Sequence, residues 1–263
     1  MAMFSEVKAI YFDLDDTLCG YWDAAKRALA ETWEVVPVPG FTPEQLHEAW
    51  VEAFRIFADT LKTSHWYEIY LSQGSVTRTQ LMREALLRLD IDDAHLAWQL
   101  SDEYGHRRAQ YLSLFEGARE LLEELKPNYV LGVITNGPAD IQREELRDLG
   151  IESLFDHFFI EGEMGEGKPE PRVMARATQA AGCAPHEILM VGNSYRHDII
   201  PAVDAGWRTC WIRRDSDVPP TSRTGKVETR PEDGPVPDAT IGHLDKLREL
   251  LGIRTQLAPK LLE

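Results

Sequence analysis

The sequence contains few cysteines, no long apolar run and a deficit of cationic residues, and each shortage excludes a class of protein. Only three cysteines occur in 263 residues, namely Cys19, Cys183 and Cys210. An odd number of widely spaced cysteines supports neither a disulfide framework nor a zinc site, so we expect a reducing compartment. No run approaches the ~18 apolar residues that a membrane-spanning helix needs. We therefore expect no membrane partner.

The N-terminus also lacks the pattern of a secretory signal. Residues 1–8 have no basic start followed by a long apolar stretch, so we expect a cytoplasmic location. The chain carries 28 Lys and Arg against 44 Asp and Glu, a formal net charge of -16. This negative charge repels the polyanionic backbone of a nucleic acid and disfavours a nucleic-acid partner. A small anionic substrate would instead need a metal ion, a few lysines or exposed backbone N–H groups to hold it.

Short apolar runs alternate with helical patterns over much of the chain. The predicted strands are Ala9 to Phe12, Tyr129 to Ile134, His157 to Ile160, Ile188 to Val191, Arg208 to Ile212 and Ala239 to Ile241. The predicted helices among them are Ile141 to Leu149, Arg172 to Ala181 and Ile199 to Ala205, and a last helix covers His243 to Leu251. This alternation predicts an α/β fold with a Rossmann-like three-layer core, in which helices cover both faces of a parallel sheet. Ligands of such sheets bind beyond the carboxyl ends of the strands.

The segment after the first strand breaks the alternation, because it is almost wholly helical. Thr42-Pro43-Glu44-Gln45 combines an N-cap, a helix-starting proline and a capping box, which predicts a helix to about Thr60. Further helices are predicted at Thr79 to Leu89 and Asp93 to Tyr111. We therefore predict an inserted helical cap domain at 19–112, between the core segments 1–18 and 113–263. We expect its aromatic residues to form mainly the core of the cap; they are Trp22, Trp50, Phe54, Phe57, Trp66, Tyr67 and Tyr70.

Polar motifs follow the first two strands. Asp13-Leu14-Asp15-Asp16-Thr17 follows the first, and alternation along an extended segment puts the Asp13 and Asp15 carboxylates on one side. Such a cluster is also typical of a helix cap or a calcium-like loop. Thr135-Asn136-Gly137 follows the second strand. Asn-Gly is common in hairpins, but Pro138 and the helix after it indicate a strand-loop-helix junction, where the Thr135 hydroxyl and backbone N–H groups can hold phosphate oxygens.

Two more motifs follow later strands. Lys168 lies in Gly165-Glu166-Gly167-Lys168-Pro169. A lone lysine is usually a solvated surface group, but the flanking glycine and proline indicate a loop of defined shape. The fourth strand is followed by Gly192-Asn193-Ser194-Tyr195-Arg196-His197-Asp198, which presents the oxygen-bearing side chains of Asn193 and Asp198. Capping of the next helix is the alternative role for Asp198.

With four motifs in this order at successive strand ends, the sequence resembles the haloacid dehalogenase superfamily, and within it the phosphatases with a helical cap after the first motif. The resemblance spans roughly residues 8–251 and is weakest over the cap. It implies that Asp13 is the nucleophile and Asp15 the acid/base. It further implies a phosphate site and a magnesium site: phosphate bound by Thr135, Asn136 and Lys168, and Mg²⁺ held by Asp13, the Asp15 backbone carbonyl and the fourth motif.

The fourth motif departs from the family pattern, which usually begins Gly-Asp, because this chain has Gly192-Asn193. Asn193 supplies a neutral amide oxygen where an anionic ligand is expected, which should weaken metal binding. We expect Asn193 to be a direct magnesium ligand with Asp198 close behind it. The alternative is that Asp198 takes over the ligand role, directly or through water.

The resemblance implies a magnesium-dependent phosphatase that hydrolyses small phosphate monoesters, of the sugar phosphate or nucleotide type, through an aspartyl phosphate. A large cap that closes over the site favours small phosphorylated metabolites over phosphoproteins. Three alternatives stay open. A haloacid dehalogenase needs no metal and no acid at Asp15, and a phosphomutase protects the aspartyl phosphate from water. A non-catalytic phosphate-binding regulator is suggested by Asn193. The sequence does not indicate an oligomeric state.

Overall fold

Six parallel strands form the sheet at the centre of the molecule. The computed structural model describes residues 2–215, 217–222 and 224–253. The strands are β1 (Ala9–Phe12), β2 (Val130–Thr135), β3 (His157–Ile160), β4 (Ile188–Gly192), β5 (Arg208–Ile212) and β6 (Ala239–Ile241). Their order across the sheet is β3-β2-β1-β4-β5-β6. Because β1 lies between β2 and β4, the loops that follow these three strands meet at one edge.

Helices cover both faces of the sheet. In chain order, the α-helices of the described residues are α1 (Tyr21–Val35), α2 (Pro43–Leu61), α3 (Trp66–Ser72), α4 (Gly74–Leu87), α5 (Ala94–Tyr111), α6 (Ala118–Leu125), α7 (Ala139–Asp148), α8 (Glu161–Met164), α9 (Pro171–Ala181), α10 (Ile200–Asp204) and α11 (Asp245–Leu251). A π-helical turn, Tyr195–Ile199, leads into α10. Across the part of the chain that the structure describes, each helix is too short or too polar to span a bilayer.

Alternate residues of β1 supply the two layers of the core. Ile10 and Phe12 pack on one face with the apolar side of α6 and α11, whereas Ala9 and Tyr11 pack on the other face with α9. All four residues are buried, because a strand in the middle of a parallel sheet is covered on both faces. The predicted α/β fold with a Rossmann-like three-layer core is confirmed.

The helices α1, α2, α4 and α5 pack around a hydrophobic cluster of their own, and α3 packs against α4. Leu29, Trp50, Met82 and Leu100 are central members of this cluster, which is separate from the two clusters that flank the sheet. The predicted capping box starts α2, because Thr42 and Gln45 exchange side-chain and backbone hydrogen bonds. We call α1 to α5 the cap. The exact division of the chain into domains at residues 18/19 and 112/113 stays a prediction.

One cap helix begins earlier than its sequence predicts. α4 begins at Gly74, whereas the pattern predicts a start near Thr79. The cause is tertiary, because the Asp140 carboxylate accepts hydrogen bonds from the Gly74 N–H at 3.0 and 3.1 Å. Asp140 lies in the first turn of α7, so one carboxylate serves the N-terminal ends of two helices, which both favour a negative charge. A partner 66 residues away cannot be seen in a local pattern.

Candidate active site

A buried lysine joins two buried carboxylates at the carboxyl edge of the sheet. The Lys168 Nζ donates to Asp13 Oδ1 at 2.7 Å and to Asp198 Oδ1 at 2.6 Å. Asp13 follows β1 and Asp198 lies in the π-helical turn after β4, so three of the four sequence motifs meet at one ammonium group. Burial lowers the pKa of Lys168, but Asp13 and Asp198 outweigh it, and the net shift is upward. The lysine therefore stays charged in this site.

The second oxygen of Asp13 is also held by the protein. Thr17 Oγ1 donates to Asp13 Oδ2 at 2.9 Å, and the backbone N–H of Asn193 donates to the same hydroxyl oxygen at 3.0 Å. The first and fourth motifs are thus joined through Thr17. With both carboxylate oxygens held, the orientation of Asp13 is fixed.

Asp15 lies in a more acidic environment on the other side of the same loop. Burial and the nearby carboxylates of Glu145 and Asp13 raise the pKa of Asp15 well above its usual range, and Arg108 offsets only part of this rise. Gln142 Nε2 donates to Asp15 Oδ2 at 3.2 Å. Two carboxyl groups on one loop therefore have different surroundings, since Asp13 has the lysine and Asp15 has other acids.

Thr135 reaches Asp15 through a side chain of α7. Its hydroxyl donates to Gln142 Oε1 at 2.7 Å, and Gln142 Nε2 in turn donates to Asp15 and, at 3.0 Å, to Glu145 Oε2. Glu145 also forms a buried ion pair with Arg108 of the cap. A continuous polar chain therefore runs from the end of β2 to α5.

The side-chain amide of Asn136 binds the backbone of Lys168. Its Nδ2 donates to the Lys168 carbonyl and its Oδ1 accepts from the Lys168 N–H, both at 2.7 Å. This reciprocal pair fixes the loop that carries the lysine. The side-chain amide of Asn136 is therefore occupied in this structure, and its predicted phosphate contact stays a prediction.

Asp198 folds back over the end of β4. Its Oδ2 accepts from the Ser194 N–H at 2.9 Å, so it caps the turn and also binds Lys168. A Cβ at Gly192 would overlap the Asp198 carboxylate, so only glycine allows this approach. Burial, assisted by Asp13 and opposed by Lys168, raises the pKa of Asp198 to about 7.

The oxygen donors at this edge suit a magnesium ion. Within the described residues, no three His, Cys, Asp or Glu side chains form a group that could hold a metal. A metal would therefore also need other oxygens, such as the Asn193 amide and the Asp15 carbonyl. Asn193 is half-buried in the cavity wall and, among the described residues, its side chain has no hydrogen bond. Asp13 and Asp198 already converge on one cation, and an all-oxygen set fits Mg²⁺ better than zinc.

A cavity of about 910 Å³ connects the strand ends with the cap. Six of the seven cap aromatics that we expected mainly in the core of the cap also line this cavity: Trp22, Trp50, Phe54, Phe57, Tyr67 and Tyr70. Tyr67 reaches across to the core, where its hydroxyl donates to Glu161 Oε1 at 2.9 Å. Glu161 also accepts from the Gly137 N–H at 3.2 Å, next to Thr135 and Asn136. The cap therefore reaches the second motif through Glu161.

The described residues between 213 and 238, which we call the strap, form another wall of the cavity. Arg214 donates to the backbone carbonyls of Asp16 and Thr17 at 2.7 and 3.3 Å. The Glu228 carboxylate accepts from the Ser194 hydroxyl and the Tyr195 and Arg196 N–H groups, between 2.8 and 3.1 Å. Arg55 of α2 donates to the Thr221 carbonyl at 3.0 Å. The strap thus contacts the first motif, the fourth motif and the cap.

Several of these site residues were not predicted from the sequence. Thr17 stands inside the first motif and could have been found there, but the others carry no motif signal: Gln142, Glu145, Glu161, Arg108, Arg214 and Glu228. Each belongs to a helix or loop whose local pattern is already explained by amphipathicity or polarity. Their role depends on contacts across the cavity, which a local pattern does not contain.

Comparison with known proteins places the chain in a family. The model of haloacid dehalogenase-like hydrolases matches residues 7–206. N-acylneuraminate-9-phosphatase from Rattus norvegicus is 27% identical over 231 residues, which are 83% of this chain and 87% of the relative. The 2-haloacid dehalogenase from Pseudomonas syringae pv. Tomato DC3000 is 28% identical, with a TM-score of 0.60 over 94% of this chain and 98% of the other.

A further solved structure shares the fold. The HAD-hydrolase YfnB from Bacillus subtilis, bound to magnesium, matches with a TM-score of 0.69 and 20% identity, over 94% of this chain and 99% of the other. Because the family model covers most of the chain, the protein belongs to the haloacid dehalogenase-like hydrolases. The resemblance read from the four motifs is confirmed.

Proposed function

We propose that this protein is a magnesium-dependent phosphatase that hydrolyses small phosphate monoesters, with Asp13 as nucleophile and Asp15 as acid/base. The observation that carries the proposal is the contrast between the two carboxyl groups of one loop. Asp13 accepts hydrogen bonds from the Lys168 ammonium and the Thr17 hydroxyl, whereas the pKa of Asp15 is raised by burial and neighbouring acids. An anionic nucleophile beside a protonated acid is the pair that ester cleavage requires. The relative that removes phosphate from an N-acylneuraminate 9-phosphate supports the same reaction class.

In the first step, Asp13 attacks phosphorus and the bond to the leaving oxygen breaks, which gives an aspartyl phosphate. Asp15 gives its proton to the leaving oxygen. In the second step, Asp15 takes a proton from water, whose oxygen attacks phosphorus and releases Asp13 and phosphate. The Thr135 hydroxyl turns from Gln142 toward a phosphate oxygen. Asn136 keeps the lysine loop in place, so that Lys168 can balance charge on the transferred group.

The approach of a carboxylate to a dianionic phosphate is opposed by charge. At ~4 Å and an effective dielectric constant of about 20, the repulsion is about 4 kcal/mol for each pair of unit charges, or about 8 kcal/mol here. When bound, Mg²⁺ supplies positive charge between the reactants. Asp13, the Asp15 carbonyl, Asn193 and Asp198 are the residues that would hold it. The protein fixes the position of these oxygens through Thr17 and Gly192.

A dehalogenase is the second candidate, because several structural relatives are named as dehalogenases, among them the 28% identical one from Pseudomonas syringae. It needs no acid beside the nucleophile. The raised pKa of Asp15 and its hydrogen bond from Gln142 therefore favour the phosphatase. The substrate is a small phosphorylated metabolite, of the sugar phosphate or nucleotide type, since the cavity of about 910 Å³ is bounded by the cap and the strap. A cytoplasmic location stays a prediction.

Metal removal tests the proposal. We expect hydrolysis of p-nitrophenyl phosphate to stop after treatment with EDTA and to return when Mg²⁺ is added, because the charge repulsion leaves no route without the metal. Chloroacetate is the control substrate for the second candidate. Full phosphatase activity after exhaustive chelation, or release of chloride from chloroacetate instead of phosphate release, would contradict the proposal.

A further inference from the structure

Arg78 is a cation in the cavity wall that the phosphatase chemistry does not use. It lies on α4 of the cap and lines the same cavity as Asp13 and Lys168. Four cations of that wall are at least partly buried, and the other three have acceptors. Lys168 binds Asp13 and Asp198, and Arg108 binds Glu145. Arg214 binds Asp217 and two backbone carbonyls. Among the described residues, no carboxylate lies within ion-pair distance of Arg78, and its buried Nε has no hydrogen-bond partner.

The cap is shaped to hold this guanidinium group in place. The Arg78 Cζ lies 5.9 Å from the centroid of the Tyr104 ring, within range of a cation–π contact. Opposite it stands Gly105 of α5, where a Cβ would overlap the guanidinium. Glycine inside a helix costs about 1 kcal/mol relative to alanine, so the space for Arg78 is gained at the expense of helix stability. The Arg78 guanidinium therefore lies between the Tyr104 ring and the backbone of Gly105.

Among the described residues no carboxylate pairs directly with Arg78, although Asp140 and Glu145 act on it through space. Arg108 repels it and is itself paired with Glu145. The Asp140 carboxylate is directed to the Gly74 N–H at the start of α4. A half-buried cation without an ion pair is less well hydrated than a free one, so an anion that enters the cavity can pair with it.

We propose that Arg78 binds a second anionic group of the substrate, and that the natural substrate is a phosphate monoester that also carries a carboxylate. This inference rests on the proposed phosphatase function and adds the class of substrate. A guanidinium pairs with a carboxylate through two parallel hydrogen bonds. One unpaired guanidinium balances one negative charge, which fits a carboxylate better than a second phosphate. The Tyr21 and Tyr104 phenols next to the two arginines supply further donors.

Two pairs of esters test this substrate class, because in each pair only one group differs. 6-Phosphogluconate and sorbitol 6-phosphate exchange a carboxylate for a hydroxymethyl group, as do 3-phosphoglycerate and glycerol 3-phosphate over a shorter span. We expect the enzyme to have a higher kcat/KM for the acid in at least one pair. In Arg78→Met, kcat/KM for that acid should fall about 10- to 100-fold, while the matching alcohol changes less than about threefold.

Arg83→Met is the matched control, because Arg83 lies on the same helix, pairs with Asp92 and does not line the cavity. It should keep the preference for the acid. Thermal unfolding separates binding from a structural role: Arg78→Met should melt at the wild-type temperature or above, since it removes a half-buried charge that has no ion pair. An equal fall for acid and alcohol, or no preference for the acid in either pair, overturns the inference. If p-nitrophenyl phosphate is still hydrolysed in that case, the proposed function stands; if it is not, both fail.

Discussion

At the scale of single residues, the site is a balance of buried charges around Lys168. One ammonium group contacts Asp13 and Asp198, which would otherwise repel each other across a small distance. Asn193 stands beside them and adds no charge. Since an acid at this position would have no second lysine to balance it, the asparagine reduces the negative charge of the site, and as the proposed magnesium ligand it would bind the ion more weakly than an aspartate.

Replacement of this asparagine tests the ligand set. We expect Asn193→Asp to lower the magnesium dissociation constant by about 3- to 10-fold, because a divalent ion outweighs any one neighbouring carboxylate when the new ligand contacts it directly. Asp198→Ala should raise it by at least about 10-fold. Both are measured by calorimetric titration of the protein with Mg²⁺, which does not depend on turnover.

Asn128→Asp is the matched control for charge alone. Asn128 is exposed just before β2, at the opposite edge of the sheet, so the same added charge there should leave the dissociation constant within about twofold. If Asn193→Asp behaved like Asn128→Asp, position 193 would lie outside the ligand set and Asp198 would take the direct role.

At the scale of elements, α7 connects the chemistry of the first loop to the cap. Its Gln142 contacts Thr135 and Asp15, and its Glu145 contacts Arg108 of α5. One helix thus sets the hydrogen bonding of the proposed acid and the position of the cap helix above it. The negative charge of Glu145 is one of the causes that raise the pKa of Asp15.

The pH dependence of turnover should show the effect of Glu145 on the pKa of Asp15. Glu145→Gln removes a negative charge and leaves Arg108 uncompensated, and both changes lower the pKa of Asp15. The protonated acid is then lost at lower pH, so the alkaline limb of kcat/KM for an alkyl phosphate should move down by about 1 unit. The neighbouring Glu144→Gln, at an exposed position of the same helix, should leave the limb in place.

The leaving group supplies an internal check on that shift. p-Nitrophenolate leaves without a proton, so its phosphate ester should show little of the alkaline limb in either variant. An unmoved limb for the alkyl phosphate in Glu145→Gln would mean that Asp15 is not the acid that the profile reports.

Local patterns predicted the elements that carry the chemistry and missed those that surround it. The strands and the motifs that follow them could be predicted because apolar runs end abruptly at polar residues. The clearest case is β1, whose apolar run ends at Asp13. Arg108 and Glu145 were not visible, since each lies in an amphipathic helix and they meet only across the cavity. The contacts of the strap through Arg214 and Glu228 also depend on tertiary structure. The start of α4 was misplaced for the same reason.

At the scale of the whole molecule, a protein of net charge -16 must create a cationic region for an anionic substrate. It does so by bringing together cations from distant parts of the chain: Arg78 and Arg108 from the cap, Lys168 from the core and Arg214 from the strap. Arg108, Lys168 and Arg214 bind acids or backbone carbonyls of the site. Arg78 is the cation that we propose to bind the substrate. The cap, the core and the strap are therefore all needed to form the substrate cavity.

Asp13 is the centre of this account, and one substitution tests it most directly. We expect Asp13→Asn to reduce the turnover of p-nitrophenyl phosphate in saturating Mg²⁺ by about 10⁴-fold or more, since the amide keeps the size of the side chain but cannot act as the nucleophile. Asp16→Asn is the matched control in the same loop. Asp16 has a φ of 55°, which asparagine tolerates, and its side chain accepts from the Trp22 N–H, so this variant should stay within about tenfold of wild type. Activity of Asp13→Asn at the level of Asp16→Asn, in protein with the wild-type melting temperature, would contradict the account.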